Sequence, residues 1–412
     1  MQVSHSEVTH ITAESLIFAK LTLHGRQPLR PKPPPCSPLP FAFAMKASPS
    51  ATVASPSPLG GRLASLDVLR GLTLFLLVFL QPVACAVLGQ IDAPWAAAVC
   101  YQLDHEVWEG FRAWDLVMPL FLFMSGTSMP FSFSKLLRQG GKAAVYRKVS
   151  RRFVVLFVLG MVVQGNLLGF DADHIYFYNN TLQAIAAGYL IATPLLLHFS
   201  LKGQAVGAAC LLAAYTLPMM VGGDYTMDGN LALRLDAAVM GRFQGDPSYS
   251  WLLSSLTFGM TVWLGALAGQ LIRRGSSDRS RTAGRLALTG GALVLAGLLW
   301  SLEMPIIKRL WTASMALYSG GLCFLLMALS YWWIDVRGHV KGWGWLKIYG
   351  MNSLMAYLIG ETVNFRSAVE SLSYGLQPLL GDFYGAWLTL GNYSIVFLIL
   401  WAMHRMGCYV KI

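Results

Sequence analysis

Apolar windows of about 20 residues, the length at which an α-helix crosses the hydrocarbon core of a bilayer, recur along this chain from residue 66 to residue 403. Backbone N–H and C=O groups find no water inside lipid, so stretches of this length must satisfy their own hydrogen bonds as helices. We place ten spans at residues 66–89, 115–133, 153–170, 181–200, 204–222, 251–272, 286–303, 311–334, 346–364 and 385–403. The rest of the composition agrees. Hydrophobic residues make up 55% of the 412 and charged residues 12%, with a mean hydropathy of +0.52, too little charge to solvate a soluble globule of this size. The expected fold class is therefore all-α, a polytopic integral membrane protein of about ten transmembrane helices.

Lys and Arg stay on the cytoplasmic side of span ends. Residues 134–152 carry Lys135, Arg138, Lys142, Arg147, Lys148, Arg151 and Arg152 without an acid, and residues 273–285 carry Arg273, Arg274, Arg279, Arg281 and Arg285 against Asp278 alone. Residues 335–345 and the C-terminal end fall on the same side when ten spans are counted, so both termini are expected in the cytoplasm. The alternate loops are acidic, with Asp92, Asp104, Glu106 and Glu109 in the first, Asp171 and Asp173 in the second, and Asp224, Asp228, Asp236 and Asp246 in the third. The net charge of +11 is thus spread over short loops, where it serves topology and anionic-lipid contact, and nucleic acid need not be invoked.

Residues 1–60 belong to a different regime. Pro31, Pro33, Pro34, Pro35, Pro38 and Pro40, then a Ser/Pro/Ala run to Pro58, predict a disordered cytoplasmic tail ahead of a membrane domain at 61–412. Met45 is an alternative start. The early residues lack a basic region joined to an apolar core, so the first span is expected to act as an uncleaved anchor. The six cysteines have no ligand spacing and predict no metal site; a bridge between Cys85 and Cys100 is a minority alternative. No Walker loop, dinucleotide-binding glycine pattern or HExxH sequence occurs.

Chemistry is expected at Leu103-Asp-His-Glu-Val-Trp-Glu-Gly-Phe-Arg-Ala-Trp-Asp115, a titratable cluster running straight into the second span. It puts His105 at the extracytoplasmic membrane boundary among Asp104, Glu106, Glu109 and Asp115. Imidazole is the side chain best suited to proton or acyl transfer near neutral pH. Asp115 has a second reading as a helix cap, Trp108 and Trp114 as interfacial anchors, and Asp67 with Arg70 as a local ion pair. Glu361, a carboxylate near the end of an apolar span, is expensive there and is expected to face a polar cavity or a partner; Asn352 and Ser353 precede it in the same span. His174 reads as a loop residue.

Several of these residues stand in an order that resembles the family of heparan-α-glucosaminide N-acetyltransferase and its bacterial relatives. The pattern comprises Ser65-Leu-Asp-Val-Leu-Arg-Gly71, His105-x-x-Trp108-x-Gly110 with Asp115-Leu-x-x-Pro119-Leu-Phe-Leu-Phe-x-x-Gly126, Leu182-Gln183 and Tyr189, Pro305-x-x-Lys308-x-Leu310-Trp311-Thr-x-Ser314, and Gly350-Met-Asn-Ser353 followed by Glu361. The resemblance extends from Arg62 over nearly all of the chain. It implies transfer of an acetyl group from cytosolic acetyl-CoA to an amino sugar or envelope glycan on the other side of the membrane, with His105 as acyl acceptor or general base. Asp104, Glu106 or Asp115 would orient the ring. Gln81 stands where the family has an active-site asparagine, one methylene longer, and Ala184 where the animal enzymes have arginine. These departures point to a bacterial branch in the inner membrane, with a cell-wall or scavenged amino sugar as acceptor.

The expected site thus comprises His105, Asp115 and Gln81 as catalytic residues, Trp108, Asp104, Glu109, Asn352 and Glu361 around the acceptor, and Arg147, Arg151 and Arg152 on the phosphates of acyl-CoA. Beyond lipid, donor and acceptor, a homodimer is left open. A transporter or permease for a small polar solute is the alternative from another class, and paired broken helices in two repeats would favour it. A degenerate enzyme that only scaffolds envelope proteins is a third.

Overall fold

The computed structural model describes residues 63–410; the tail expected at 1–60 lies outside the described residues. Among these, sixteen α-helices follow one another: α1 Ala64–Phe75, α2 Gln81–Leu88, α3 Pro94–Gln102, α4 Val117–Thr127, α5 Met129–Val163, α6 Thr181–His198, α7 Leu201–Val221, α8 Leu231–Met240, α9 Ser254–Arg274, α10 Arg279–Trp300, α11 Ala313–Ser330, α12 Gly344–Met351, α13 Ser353–Thr362, α14 Arg366–Ser373, α15 Gln377–Leu380 and α16 Tyr384–Arg405. There is no strand among the described residues beyond one bridge between Glu109 and Ile307. The protein is an all-α polytopic membrane protein.

Eight helical runs are long and apolar enough to cross a membrane. One of them, from Ala113 to Val163, is interrupted at Gly140 and Gly141, where the backbone leaves helical geometry and Gly141 adopts φ 64°. The connection expected at 134–152 therefore shrinks to a glycine pair. Its Lys and Arg residues sit on helix instead, because long unbranched side chains lose little freedom in a helix and can carry it out of the apolar phase. The window at 346–364 is divided between α12 and α13 at Asn352 and falls outside the eight. Each of the ten expected windows nevertheless overlaps helix, although the third, 153–170, outlasts its helix, which ends at Val163.

Two local devices shape the first span. A π-helical turn over Leu76–Leu80 joins α1 to α2, and the N–H of Gln81 donates to the Leu76 carbonyl five residues back. The wider turn accommodates Pro82, which has no N–H to offer an α-helical ladder. Further back, Gly71 of α1 lies against the Leu346 carbonyl, and Gly350 of α12 against that of Asp67. A side chain at either glycine would run into backbone, so both glycines are needed for these helices to meet. Cys85 and Cys100 are free thiols.

The bundle is layered. α9 and α11 bury most of their apolar windows inside the protein, whereas α7 and α10 leave most of theirs outward. Hydrophobicity alone does not distinguish the two layers, because lipid is as apolar as a protein core.

Candidate active site

The loop between α3 and α4 is tied down by carboxylates. Asp115, fully buried, closes the 3-10 turn Ala113–Leu116 that leads into α4. Its Oδ2 accepts the backbone N–H groups of Arg112 at 3.0 Å and Glu106 at 3.2 Å. Its Oδ1 lies 2.9 Å from Nδ1 of His105. Capping and orienting are therefore one task here: the carboxylate that closes the turn also fixes the imidazole. An ionised Asp115 accepts from Nδ1–H, which leaves the lone pair of the neutral ring on Nε2.

The neighbouring charges hold the loop rather than the ring. Arg112 donates through Nε and Nη2 to both oxygens of Glu106, at 3.0 and 3.1 Å, and its guanidinium lies 3.7 Å over the Tyr101 ring. Arg112 holds the Glu106 carboxyl below the usual carboxylate range. The Asp104 side chain is mostly exposed and accepts the His105 backbone N–H at 2.7 Å. Gln81 donates to the Leu103 carbonyl at 3.3 Å, joining the first span to the histidine loop two residues before His105. Trp108 donates from Nε1 to the Tyr225 carbonyl at 2.8 Å. Glu109 is exposed.

A residue outside the expected set completes the centre. Lys308, only 6% exposed, places Nζ 2.7 Å from Nδ1 and 3.1 Å from Nε2 of His105 and 3.4 Å from Asp115 Oδ1. Burial pushes its ammonium down to about 8, against the upward pull of Asp115. The loop bearing Lys308 is hydrogen-bonded both within itself and to the histidine loop. Thr312 Oγ1 donates to the Pro305 carbonyl at 2.9 Å, Trp311 adopts φ 48°, and the Gly110 N–H donates to the Ile306 carbonyl at 2.9 Å. The signal was in the sequence: the expected span count puts this lysine, between the seventh and eighth spans, on the side where the positive-inside rule disfavours cations, and it stands in the family pattern Pro305-x-x-Lys308.

His105 and Lys308 open onto a cavity of about 1010 Å³. Its walls are helical stripes. Trp114, Val117, Phe121, Met124, Ser128 and Ser132 line it from the run that contains α4, as do Lys148, Arg152 and Leu156 from α5, Leu182, Ile185 and Tyr189 from α6, and Leu354, Tyr357 and Glu361 from α13. Spacings of three and four keep each set on one helix face. From Trp114 to Ser132 a helix rises roughly 27 Å at 1.5 Å per residue, close to the thickness of a hydrocarbon core.

At the end far from His105 the cavity meets Arg70, Lys148 and Arg152. Lys148 donates to Ser132 Oγ at 3.1 Å and Arg152 to Ser125 Oγ at 3.4 Å, with the Arg152 guanidinium 4.4 Å over the Tyr189 ring. Nε of Arg152 is buried without a hydrogen-bond partner among the described residues. Near His105 the lining includes Asp246, Tyr249 and Trp251, the last two stacked at 6.0 Å.

Of the residues expected from sequence, His105, Arg152 and Glu361 line the cavity, and Asp115 stands directly behind His105. Gln81, Asp104, Trp108 and Glu109 shape the loop without lining the cavity. Asn352 is buried at the α12–α13 break, donating to the Cys408 carbonyl at 3.1 Å and accepting the Val410 N–H at 3.2 Å. It is thus a staple for the C-terminal segment. Arg147 and Arg151 are exposed and do not line the cavity, because they lie about 100° around the helix from Lys148 and Arg152. Helical phase would have separated these pairs.

A half-exposed histidine held by a fully buried carboxylate and opening onto a large cavity in an all-α membrane bundle defines the class, a membrane protein with a cluster of ionisable side chains at one end of an internal chamber. Residues 62–302 match the family model for the catalytic region of heparan-α-glucosaminide N-acetyltransferase, over half of the chain, and the protein belongs to that family. The human heparan-α-glucosaminide N-acetyltransferase is 29% identical over 108 residues, 26% of this chain and 14% of the human protein. The mouse protein of the same name is 29% identical over 103 residues, 25% of this chain and 14% of its own length. The aligned stretch thus spans about a seventh of these curated relatives.

Proposed function

We propose that the protein is a membrane acetyltransferase that takes acetyl from acetyl-CoA at the cationic end of the cavity and delivers it near His105 to the amine of an amino sugar or envelope glycan. The observation that carries this reading is the single cavity reaching from Arg70, Lys148 and Arg152 to His105. Cations and hydroxyls suit the phosphates of CoA, the apolar stripes suit a slender thioester arm, and the His105–Asp115 pair supplies the base. In one route Nε2 attacks the thioester carbonyl and carries the acetyl; in the other it takes the proton of the attacking amine. Asp246 and Glu361 would attract an ammonium, while Tyr249 and Trp251 offer faces to a sugar ring.

In this reading the cationic end is cytoplasmic, both termini lie on that side, and the membrane is a bacterial inner membrane. A permease for a small polar solute would use the same cavity but has no need of a histidine held by a fully buried carboxylate. The test is transfer of label from radiolabelled acetyl-CoA to a panel of glucosamine-type amines, with protein in nanodiscs and His105→Ala alongside. Transfer lost in the variant supports the reading. Transfer that persists in the variant removes His105 from the chemistry.

A further inference from the structure

We propose that Lys308 is a catalytic residue, the donor that receives the negative charge developing on the acyl oxygen beside His105. The inference rests on the acyl-transfer reading and adds a residue to it. Nζ lies 3.1 Å from Nε2, the nitrogen at which the acyl carbon or the attacking amine must arrive. An oxygen two bonds from that nitrogen falls within reach of the ammonium, whose three N–H groups sit on a flexible stem.

Lys308 is not needed to satisfy Asp115. That carboxylate already has the His105 ring and the N–H groups of Glu106 and Arg112. A buried ammonium is costly unless its charge is used, and with Nδ1–H turned to Asp115 the ring atom able to accept from it is Nε2, at 3.1 Å. Its neighbour Arg309 turns elsewhere, donating to Ser248 Oγ and lying 5.0 Å over the Tyr249 ring. The Gly110–Ile306 hydrogen bond ties the lysine loop to the histidine loop, so donor and base are positioned together before substrate enters.

The step balances as follows. As the new C–N bond forms, the carbonyl π pair moves to oxygen and is received by Lys308. When the tetrahedral carbon collapses, that pair returns, the C–S bond breaks and CoA leaves as the thiolate. The proton lost by the amine passes through His105 to the thiolate. Lys308 keeps its own proton throughout.

Charge on Lys308 is present below about 8 and lost as the pH rises through that value. Around it, Asp115 and Asp104 favour the charged form and Arg309 disfavours it; His105 is in contact, and Asp246 and Tyr249 line the same end of the cavity. The rate is therefore expected to have an alkaline limb near 8 that belongs to Lys308.

The test uses p-nitrophenyl acetate, an activated acyl donor that needs neither the CoA site nor the sugar. Water accepts the acetyl, and p-nitrophenolate release is followed across pH for wild type, His105→Ala, Lys308→Met and Lys308→Arg in nanodiscs. The proposal expects release that depends on His105, a fall in kcat of roughly a hundredfold or more in Lys308→Met with little change in KM, and an alkaline limb displaced upward in Lys308→Arg. A wild type without His105-dependent release, or a Lys308→Arg variant with the limb unmoved, overturns it. If Lys308→Met does not fold, Lys308→Arg alone decides. Acetyl-CoA with the amine panel reports separately on the proposed reaction.

Discussion

The two ends of the cavity are built differently. At one end His105, Asp115 and Lys308 lie within 3.4 Å of one another, and two loops are bonded together to keep them there. At the other, Lys148 and Arg152 each contact one serine hydroxyl, and Nε of Arg152 has no hydrogen-bond partner among the described residues. Chemistry needs groups fixed to fractions of an ångström. Holding a flexible polyanion needs charge with bonding capacity to spare. Under the proposed acetyltransferase reading, reaction belongs to the first end and capture of the donor to the second, and substitutions at the two ends should fail differently.

The largest effect is expected at the fixed end. His105→Ala should lower kcat by roughly a thousandfold or more, and Asp115→Asn by roughly 10²–10⁴, as expected when an imidazole loses its orienting carboxylate. Binding of CoA by equilibrium dialysis should be unchanged in both. At the capture end the pattern reverses. The double variant Lys148→Ala/Arg152→Ala should raise KM for acetyl-CoA by roughly ten- to a hundredfold and leave kcat within a few-fold, the signature of lost binding shared by ground and transition states. Gln81→Ala, which removes one neutral hydrogen bond to the histidine loop, should cost about 1 kcal/mol in ΔΔG‡, a few-fold in kcat/KM. Smallest of all, Arg147→Ala and Arg151→Ala should change KM for acetyl-CoA less than twofold. A large effect there would place the donor outside the cavity and break the comparison.

How much of this was legible in the sequence differs between the same two ends. The spans were, apart from the divided window at 346–364, because a 20-residue apolar window admits little besides a helix. His105 and Asp115 were, because they are close in sequence and a local loop brings them together. Lys308 was not assigned to the site, since it reaches His105 from 203 residues away; its place in the family pattern and on the side that the span count makes unfavourable to cations marked it without saying what it touches. At the capture end the basic segment was recognised but its face was not. Treating 134–152 as a loop hid the helical phase that turns Lys148 and Arg152 inward and Arg147 and Arg151 outward. Asn352 had the look of a site residue because it is polar within an apolar span; its partners are backbone groups of Cys408 and Val410, which no local pattern announces.

The most direct test places the two substrates on opposite sides of a sealed membrane. Radiolabelled acetyl-CoA is supplied outside proteoliposomes and glucosamine is trapped within, with His105→Ala reconstituted in parallel. Labelled N-acetylglucosamine inside the vesicles, formed by the wild type and absent with the variant, is the predicted result. Label transferred only when donor and amine share a compartment would contradict a cavity that carries the acetyl group from its cationic end to His105.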